Sequence, residues 1–270
     1  MRVPFIKMHG LGNDFIVLDA RGDALPAPMN SAIARALADR REGIGCDQLI
    51  VLEPSDASDF RMLIFNSDGS EVESCGNASR AVALLHGQPA KVETGGGIIA
   101  MEPDESGASV DMGAPRFEWD AIPLEYAVDT AHMPVAWEEL SDPFAVNVGN
   151  PHVIFFTEDA DAVDLRTLGP QIETDALFPN AINVNVASVA GPDHLKLHVW
   201  ERGAGLTRAC GTGACATAVA AISRGLVKGP VRVTLPGGDL VIDWARGGSI
   251  RMSGPATEAF RGDFEWEDYA

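Results

Sequence analysis

Positive charge and long apolar runs are both scarce in this chain. It has 20 Lys and Arg residues against 39 Asp and Glu residues, which gives a formal net charge of −19. A strongly acidic balance disfavours nucleic acid and anionic membranes as partners. No apolar run approaches the roughly 18 residues of a membrane-spanning helix, and the first residues lack the apolar core of a signal peptide. We therefore expect a cytoplasmic location, with neither membrane nor nucleic acid as a partner.

Cysteine and lysine are also few, which limits the available cofactor chemistry. The cysteines show no Cys-x-x-Cys spacing and no zinc-finger pairing with histidine, so no metal site is expected. None of the four lysines lies beside the cysteine motifs described next. A pyridoxal phosphate enzyme needs a lysine for its Schiff base and a phosphate cradle. We therefore expect no metal and no organic cofactor.

What the chain does have is an internal repeat. Cys75 and Cys210 lie 135 positions apart, and each opens an Ala-rich apolar run. Polar residues repeat at the same or nearly the same separation: Gln48 with Asn183, Asn66 with Glu201, and Gly12-Asn13 with Gly149-Asn150. Self-similarity at a fixed offset indicates a duplicated unit. Each half then presents one cysteine at a matching position.

The order of apolar runs and turns predicts an α+β fold of two pseudosymmetric domains. Each domain is predicted to be a curved, mostly antiparallel sheet around a central helix. Predicted helices cover about 31–41 with Ser31 as the N-cap, 76–86, 162–174 and 211–224. The predicted N-terminal domain comprises residues 1–116 and 256–270, and the C-terminal domain comprises 117–255. The aromatic tail after Gly254 is expected to pack back on a domain.

The two cysteine helices suggest a chemistry. Both are apolar nearly all round, which is typical of buried helices. The N-terminus of a helix offers unpaired backbone N–H groups and positive dipole charge, so a carboxylate can dock there. A helix N-terminus also lowers a thiol pKa, which predicts a usable thiolate fraction near neutrality. Two such thiols facing one carbon suit a racemase, because one removes a proton and the other returns one to the opposite face.

At these residues the chain closely resembles the diaminopimelate epimerase family. The resemblance rests on five blocks that span most of the chain: Lys7 to Phe15, Asn66-Ser67-Asp68-Gly69-Ser70 with Cys75-Gly76-Asn77-Ala78-Ser79-Arg80, Gly149-Asn150-Pro151-His152, Trp200 to Gly205, and Ala209 to Ala214. The chain departs from the common family pattern at Ala78, where glycine is frequent, and at Leu206, where an acidic residue is frequent.

The resemblance implies an activity and a set of roles. It implies cofactor-independent conversion of LL-2,6-diaminopimelate to the meso form by a homodimer, in lysine and peptidoglycan precursor synthesis, with the site in a cleft between the domains. Carried over by motif, Cys75 and Cys210 are the two acid/base residues, and His152 and Glu201 tune them. The substrate-binding residues it implies are the backbone of Gly76, Asn77, Gly211 and Thr212 for the α-carboxylate, Gln48 near the reacting carbon, and Asn13, Asn66, Asn150, Asn183, Glu201 and Arg202 for the distal end.

Several alternatives stay open at this point. Proline racemase and a histidine racemase share the duplicated fold and the cysteine pair, but Arg202 and the polar set favour a substrate with a second carboxylate. A two-thiol redox sensor and a non-catalytic amino-acid-binding protein belong to other classes. The first leaves the polar set unexplained, and the second does not need both thiols.

Overall fold

The computed structural model describes residues 1–73 and 75–270 and divides into two compact units. The first unit comprises Met1–Val110 and Gly254–Ala270, and the second comprises Asp111–Ser253. Within the described residues, no helix is long and apolar enough to cross a membrane.

The first unit is a mixed sheet with two helices. Its elements are β1 (Arg2–Gly10), β2 (Asn13–Asp19), α1 (Ser31–Ala38), β3 (Gln48–Glu53), β4 (Phe60–Asn66), β5 (Glu71–Val72), α2 (Gly76–His86), β6 (Ala90–Thr94), β7 (Gly97–Asp104) and β8 (Gly107–Asp111). Pairing is antiparallel for β1–β2, β3–β4, β4–β5, β6–β7 and β7–β8, and parallel for β2–β3 and β4–β6.

The second unit repeats this order of strands and helices and adds a two-stranded ribbon at its start and a 3-10 turn before its first helix. Its elements are β9 (Ala136–Trp137), β10 (Leu140–Ser141), β11 (Phe144–Asn147), β12 (Pro151–Phe156), a 3-10 turn (Ala160–Ala162), α3 (Leu165–Glu173), β13 (Asn183–Gly191), β14 (His194–Glu201), β15 (Gly205–Thr207), α4 (Gly211–Ser223), β16 (Val231–Leu235), β17 (Gly238–Asp243) and β18 (Arg251–Gly254). The strands β9 and β10 form a separate two-stranded ribbon.

Strand pairing in the second unit repeats that of the first. The pairs β11–β12, β13–β14, β14–β15, β16–β17 and β17–β18 are antiparallel, whereas β12–β13 and β14–β16 are parallel. The sequence of pairing directions is therefore the same in both units, with α1 matching α3 and α2 matching α4. The predicted duplicated α+β fold with mostly antiparallel sheets is confirmed.

The two cysteine helices are the buried helices of their units. In α2 every residue from Gly76 to Ala83 is buried, and in α4 ten of the thirteen residues are buried. The helix α2 packs on β1, β7 and β19 (Thr257–Glu265), and α4 packs on strands β11 to β14, β16 and β17. A helix that is apolar nearly all round is stable only when it is surrounded, which is why these two lie against their sheets.

The first helix begins differently from the prediction. The N-cap of α1 is Asn30, whose Oδ1 accepts hydrogen bonds from the backbone N–H groups of Ala32 and Ile33 at 2.9 and 3.1 Å. Ser31 is the first helical residue, so its prediction as the cap was wrong by one position. An Asn side chain reaches the N–H groups two and three residues on as well as a Ser does.

The aromatic tail packs back on the first unit, as predicted. The strand β19 pairs antiparallel with β1, and a 3-10 turn (Trp266–Asp268) follows it. The side chains of Phe264 and Trp266 are buried in the cluster that also contains Ile33 and Leu37 of α1. Burial of two large aromatic side chains contributes several kcal/mol, enough to order a chain end.

Candidate active site

The first cysteine stands where α2 begins. Cys75 has an extended backbone and occupies the N-cap position, and Ser79 donates to its carbonyl oxygen from both Oγ and the backbone N–H at 2.9 Å. Gly76 and Asn77 are the first two helical residues. Their N–H groups are among the four at a helix start that have no partner within the helix. The turn carries donors suited to a carboxylate.

Asn77 and Asn13 are brought together by a chain of hydrogen bonds. Arg80 Nη2 donates to Asn77 Oδ1 at 2.9 Å, Asn77 Nδ2 donates to Asn13 Oδ1 at 3.3 Å, and Asn13 Nδ2 donates to Asp47 Oδ2 at 3.1 Å. A guanidinium only donates and a carboxylate only accepts, so both amides have a fixed orientation. Asp47 completes this chain, and no sequence pattern pointed to it.

Gln48 and Asn66 face each other across the antiparallel strands β3 and β4. Gln48 Nε2 donates to Asn66 Oδ1 at 3.1 Å, and Asn66 Nδ2 donates to Ser70 Oγ at 3.1 Å. Ser70 gives its own proton to Asp68 Oδ1 at 2.6 Å, so its oxygen is left to accept. The carbonyl oxygen Gln48 Oε1 is buried with no hydrogen-bond partner among the described residues.

The predicted turn at 66–70 has the geometry that its composition requires. Gly69 has φ +85°, and a Cβ atom there would lie 2.1 Å from the carbonyl oxygen of Ser31. Its N–H donates to the Asn66 carbonyl at 2.9 Å, and the Asn66 N–H donates to the Ser70 carbonyl at 2.8 Å. A residue with a side chain would clash here, so glycine holds the turn that carries Ser70.

The second cysteine starts α4 in the same way. Cys210 is the extended N-cap residue, and its Sγ accepts a hydrogen bond from the Gly213 N–H at 3.3 Å. Thr212 Oγ1 lies 3.5 Å from the same sulfur. Gly211 and Thr212 open the helix. The two predicted catalytic cysteines thus occupy matching positions in the two units.

The Cys210 thiol does not have the lowered pKa that the helix start predicted. Burial raises its pKa well above the usual value, and the nearby carboxylate of Glu201 raises it further. Hydrogen bonds from Thr212 and Gly213 lower it, but burial dominates. The prediction of a lowered pKa was wrong for this residue. Removing a thiolate from water destabilises it more than the N–H groups of one helical turn stabilise it. Cys210 is a protonated thiol near neutral pH.

Glu201 lies beside that thiol. Burial raises the pKa of its carboxyl group, opposed by hydrogen bonds from Thr207 and Cys210. The Thr207 hydroxyl donates to Glu201 Oε1 at 2.5 Å. The thiol of Cys210 therefore lies beside a carboxylate that already accepts a hydrogen bond from Thr207. Thr207 was not among the predicted residues.

Arg202 and Asn183 are held together by the backbone. Asn183 Oδ1 accepts from the Arg202 N–H at 3.0 Å, and Asn183 Nδ2 donates to the Pro151 carbonyl at 2.8 Å. The Asn183 side chain therefore braces two loops. The exposed Arg202 guanidinium donates to the Asn180 carbonyl at 3.1 Å. In the described part of the chain, this one acceptor leaves most of its five N–H donors unused.

The side chain of His152 is fully buried. Burial is the main reason that its pKa falls to about 3, and the nearby positive charge of Arg202 acts in the same direction. Its Nε2 lies 3.0 Å from Asn150 Oδ1 and its Nδ1 lies 3.0 Å from Asn185 Nδ2. The ring is neutral throughout the physiological range.

Asn185 is a third residue that sequence reasoning missed, after Asp47 and Thr207. It lies two positions after Asn183 on β13. Side chains two apart on a strand share a face, so this spacing was a usable signal. Among residues 1–73 and 75–270, no group of three or more His, Cys, Asp or Glu side chains could hold a metal ion.

A family model described as diaminopimelate epimerase matches residues 5–118 and 144–258. The chain is 69% identical to a diaminopimelate epimerase of Erythrobacter litoralis over 100% of both chains. It is 61% identical to one of Sphingopyxis alaskensis, with 98% of each chain covered.

Solved structures share the fold at much lower identity. A phenazine biosynthesis protein of the PhzF family from Bacillus anthracis has a TM-score of 0.69 at 16% identity, covering 98% of this chain and 99% of that one. A hydroxyproline epimerase from Agrobacterium vitis has a TM-score of 0.61 at 13% identity, covering 97% and 92%. The sequence relatives and the family model are far more specific, and they show that the chain belongs to the diaminopimelate epimerase family of isomerases.

Proposed function

We propose that this chain interconverts LL- and meso-2,6-diaminopimelate without a cofactor, with Cys75 and Cys210 as the two acid/base residues. The observation that carries the proposal is their matched placement: each is the extended N-cap residue of the buried helix in one of two units with the same strand pairing. A chance pair of packing cysteines has no reason to occupy equivalent positions in a duplicated fold.

The proposed step moves one proton in and one proton out. The thiolate of one cysteine takes the α-proton, and the C–H electron pair moves into the α-carbon and its carboxylate. Backbone N–H groups at the starts of α2 and α4 stabilise the charge that develops on that carboxylate. The other cysteine then gives its proton to the opposite face of the carbon, so one thiolate and one thiol have exchanged states.

The raised pKa of Cys210 supports one protonation state of the two cysteines before the reaction, with Cys210 as the thiol. In the protonated form favoured by burial and by Glu201, Cys210 is ready to give its proton rather than to take one. Cys75 then acts as the base in that direction. The reverse reaction starts from the opposite protonation state, as reversibility of the step requires.

The polar set supports a substrate with two amino-acid ends. Gln48 Oε1 offers a buried acceptor, which suits an ammonium group. The Arg202 guanidinium suits a carboxylate, because its planar fork can donate two parallel hydrogen bonds. A small substrate such as proline lacks a second end to use them.

The decisive experiment is incubation with LL-diaminopimelate in D₂O. We expect meso-diaminopimelate to form and deuterium to appear at one α-carbon. Faster racemisation of proline or histidine than of diaminopimelate would disprove the substrate but leave the two-thiol chemistry intact. Absence of any deuterium exchange with all of these amino acids would favour a redox or binding role.

The proposal includes a cytoplasmic homodimer acting in lysine and peptidoglycan precursor synthesis. Phe260 on β19 is 52% exposed, and aromatic side chains are enriched in the contacts between protein chains, which supports a second copy packing there. Light scattering coupled to size-exclusion chromatography should give twice the mass of 28.6 kDa. A monomer at working concentration would remove the dimer from the proposal.

A further inference from the structure

The hydrogen bonds around His152 determine which of its two nitrogens carries the proton. Asn185 Nδ2 lies 3.0 Å from the backbone carbonyl oxygen of Val153. A carbonyl oxygen only accepts, so the amide atom facing it is the NH₂ group and the Asn185 amide has a single orientation. The same NH₂ group lies 3.0 Å from His152 Nδ1. Nδ1 is therefore the acceptor of the ring.

The consequence passes through the ring to Asn150. Because His152 is buried and neutral, a ring with an accepting Nδ1 carries its proton on Nε2. That N–H donates to Asn150 Oδ1 at 3.0 Å. The Asn150 carbonyl is thereby occupied, and its NH₂ group is the end left to meet a ligand.

We propose that Asn185 is a positioning residue: by donating to Nδ1 it holds His152 in the Nε2-protonated form, which turns Asn150 into a hydrogen-bond donor toward substrate. This rests on the proposed function, since the ligand is the amino-acid substrate. With the opposite tautomer, His152 Nε2 would accept, the Asn150 amide would turn over, and its carbonyl would face a carboxylate. The orientation of the Asn185 amide thus determines whether Asn150 presents its NH₂ group, which can bind a carboxylate, or its carbonyl oxygen, which repels one.

The environment of Asn185 agrees with a fixed role. Its side chain is fully buried, and its Oδ1 has no hydrogen-bond partner among the described residues. Leaving a buried acceptor unpaired is costly. An apolar residue of similar size would avoid that cost. The residue present is an amide whose NH₂ group contacts both the Val153 carbonyl oxygen and His152 Nδ1. The donor end is the part that is used.

The first test reads the tautomer and needs no turnover. The protein is labelled with ¹⁵N-histidine, and two-bond ¹H–¹⁵N correlations identify the protonated nitrogen of each of its six histidines. The spectrum of His152→Gln assigns the resonance. We expect Nε2 of His152 to be protonated in the parent protein, and protonation at Nδ1 overturns the proposal. This result is independent of whether diaminopimelate is the substrate.

The second test separates positioning from a loss of structure. Asn185→Ala should raise KM for LL-diaminopimelate about tenfold, with kcat changed less than about threefold, because substrate binding rather than proton transfer is affected. In an Asn150→Ala background the same change should leave KM within about twofold, since the two residues act in one chain. Fully additive effects on KM, or a loss confined to kcat, would overturn the proposal.

The control is Thr130→Val. Thr130 is a buried residue of the same unit whose hydroxyl donates to the Phe117 carbonyl at 2.7 Å. It loses one buried hydrogen bond without touching His152, so its KM should match the parent. If Asn185→Ala does not fold, the tautomer of the parent still decides the proposal.

Discussion

The carboxylate of Glu201 lies beside the thiol of Cys210 and raises the pKa of that thiol, whereas the hydrogen bond with Cys210 lowers the pKa of Glu201. The sulfur also accepts from the Gly213 N–H at the start of α4. Opposed influences therefore act on one atom: burial and a negative charge favour the thiol, whereas the helix start favours the thiolate. Burial and the charge of Glu201 outweigh the helix start, so the pKa of Cys210 is raised.

Removing the charge of Glu201 should lower the pKa of Cys210. In Glu201→Gln the carboxylate that opposes thiolate formation is gone, so the ultraviolet absorbance of the Cys210 thiolate should appear at lower pH than in the parent. The titration is best read in a Cys75→Ser background. Glu139→Gln, an exposed carboxylate of the same unit, serves as the control. An unchanged or raised titration point would refute the electrostatic reading of this pair.

Loss of either cysteine should abolish epimerisation. Cys75→Ala and Cys210→Ala each leave one proton carrier, and a single carrier cannot serve both faces of the carbon. We expect kcat to fall by at least about a thousandfold while circular dichroism and Tm stay close to parental. Cys46→Ala is the control, since that thiol is buried in the core cluster around α1. Near-parental turnover in either single variant would refute the two-base mechanism.

Burial of His152 should make stability depend on pH. Its pKa is about 3 in the fold against an ordinary value of 6.5, so between these values the unfolded chain binds the extra proton. The free energy of unfolding should therefore fall as pH falls below about 6.5, by up to about 1.4 kcal/mol per pH unit from this residue, and level off below its folded pKa.

Urea unfolding of the parent, His152→Gln and His198→Gln across this range isolates the contribution. His198 pairs with Asp161 at the surface of the same unit, so its variant should keep the slope. An equal pH slope in the parent and in His152→Gln would contradict a neutral buried ring.

Gly213→Ala should destabilise the protein although alanine favours helices. A Cβ atom at this position would lie 2.8 Å from Asn185 Oδ1 and 3.0 Å from Val199 Cγ2. Overpacking of this kind costs about 1–3 kcal/mol, which equals the gain of about 1 kcal/mol in helix propensity at its lower end and exceeds it over the rest of the range. Thermal unfolding should show a lower Tm, whereas Gly22→Ala, with open space around it, should not. A raised Tm for Gly213→Ala would show that the site relaxes freely.

Arg202→Met should impair turnover of diaminopimelate. It keeps an apolar stem of similar length and removes the guanidinium assigned to the distal carboxylate. Loss of a charged partner is expected to cost about 2–4 kcal/mol, or roughly 30- to 1000-fold in kcat/KM. Arg208→Met, an exposed arginine of the same unit, is the control. Equal kcat/KM for parent and Arg202→Met would remove this residue from substrate recognition.

The sequence alone determined the duplication and the place of each cysteine. Two short segments that are apolar nearly all round are expected to be buried, and a cysteine followed by small residues marks the start of each. Both features are local, so the predicted helix over 76–86 agrees with α2 at both ends. The roles of the predicted site residues stay predictions, since the geometry places them without testing them.

Only the tertiary structure decided the protonation and orientation of the site. The pKa of Cys210 depends on desolvation by surrounding elements, which a motif at a helix start does not reveal. The proton of His152 is placed by Asn185, 33 positions along the chain. Which atom donates a hydrogen bond, and which group is buried, depends on strands that meet only in the folded protein. A sequence pattern does not show which atoms face each other there. Sequence spacing determines which residues share a face of a helix or strand. Packing in the fold then determines whether titratable groups such as Cys210 and His152 are protonated.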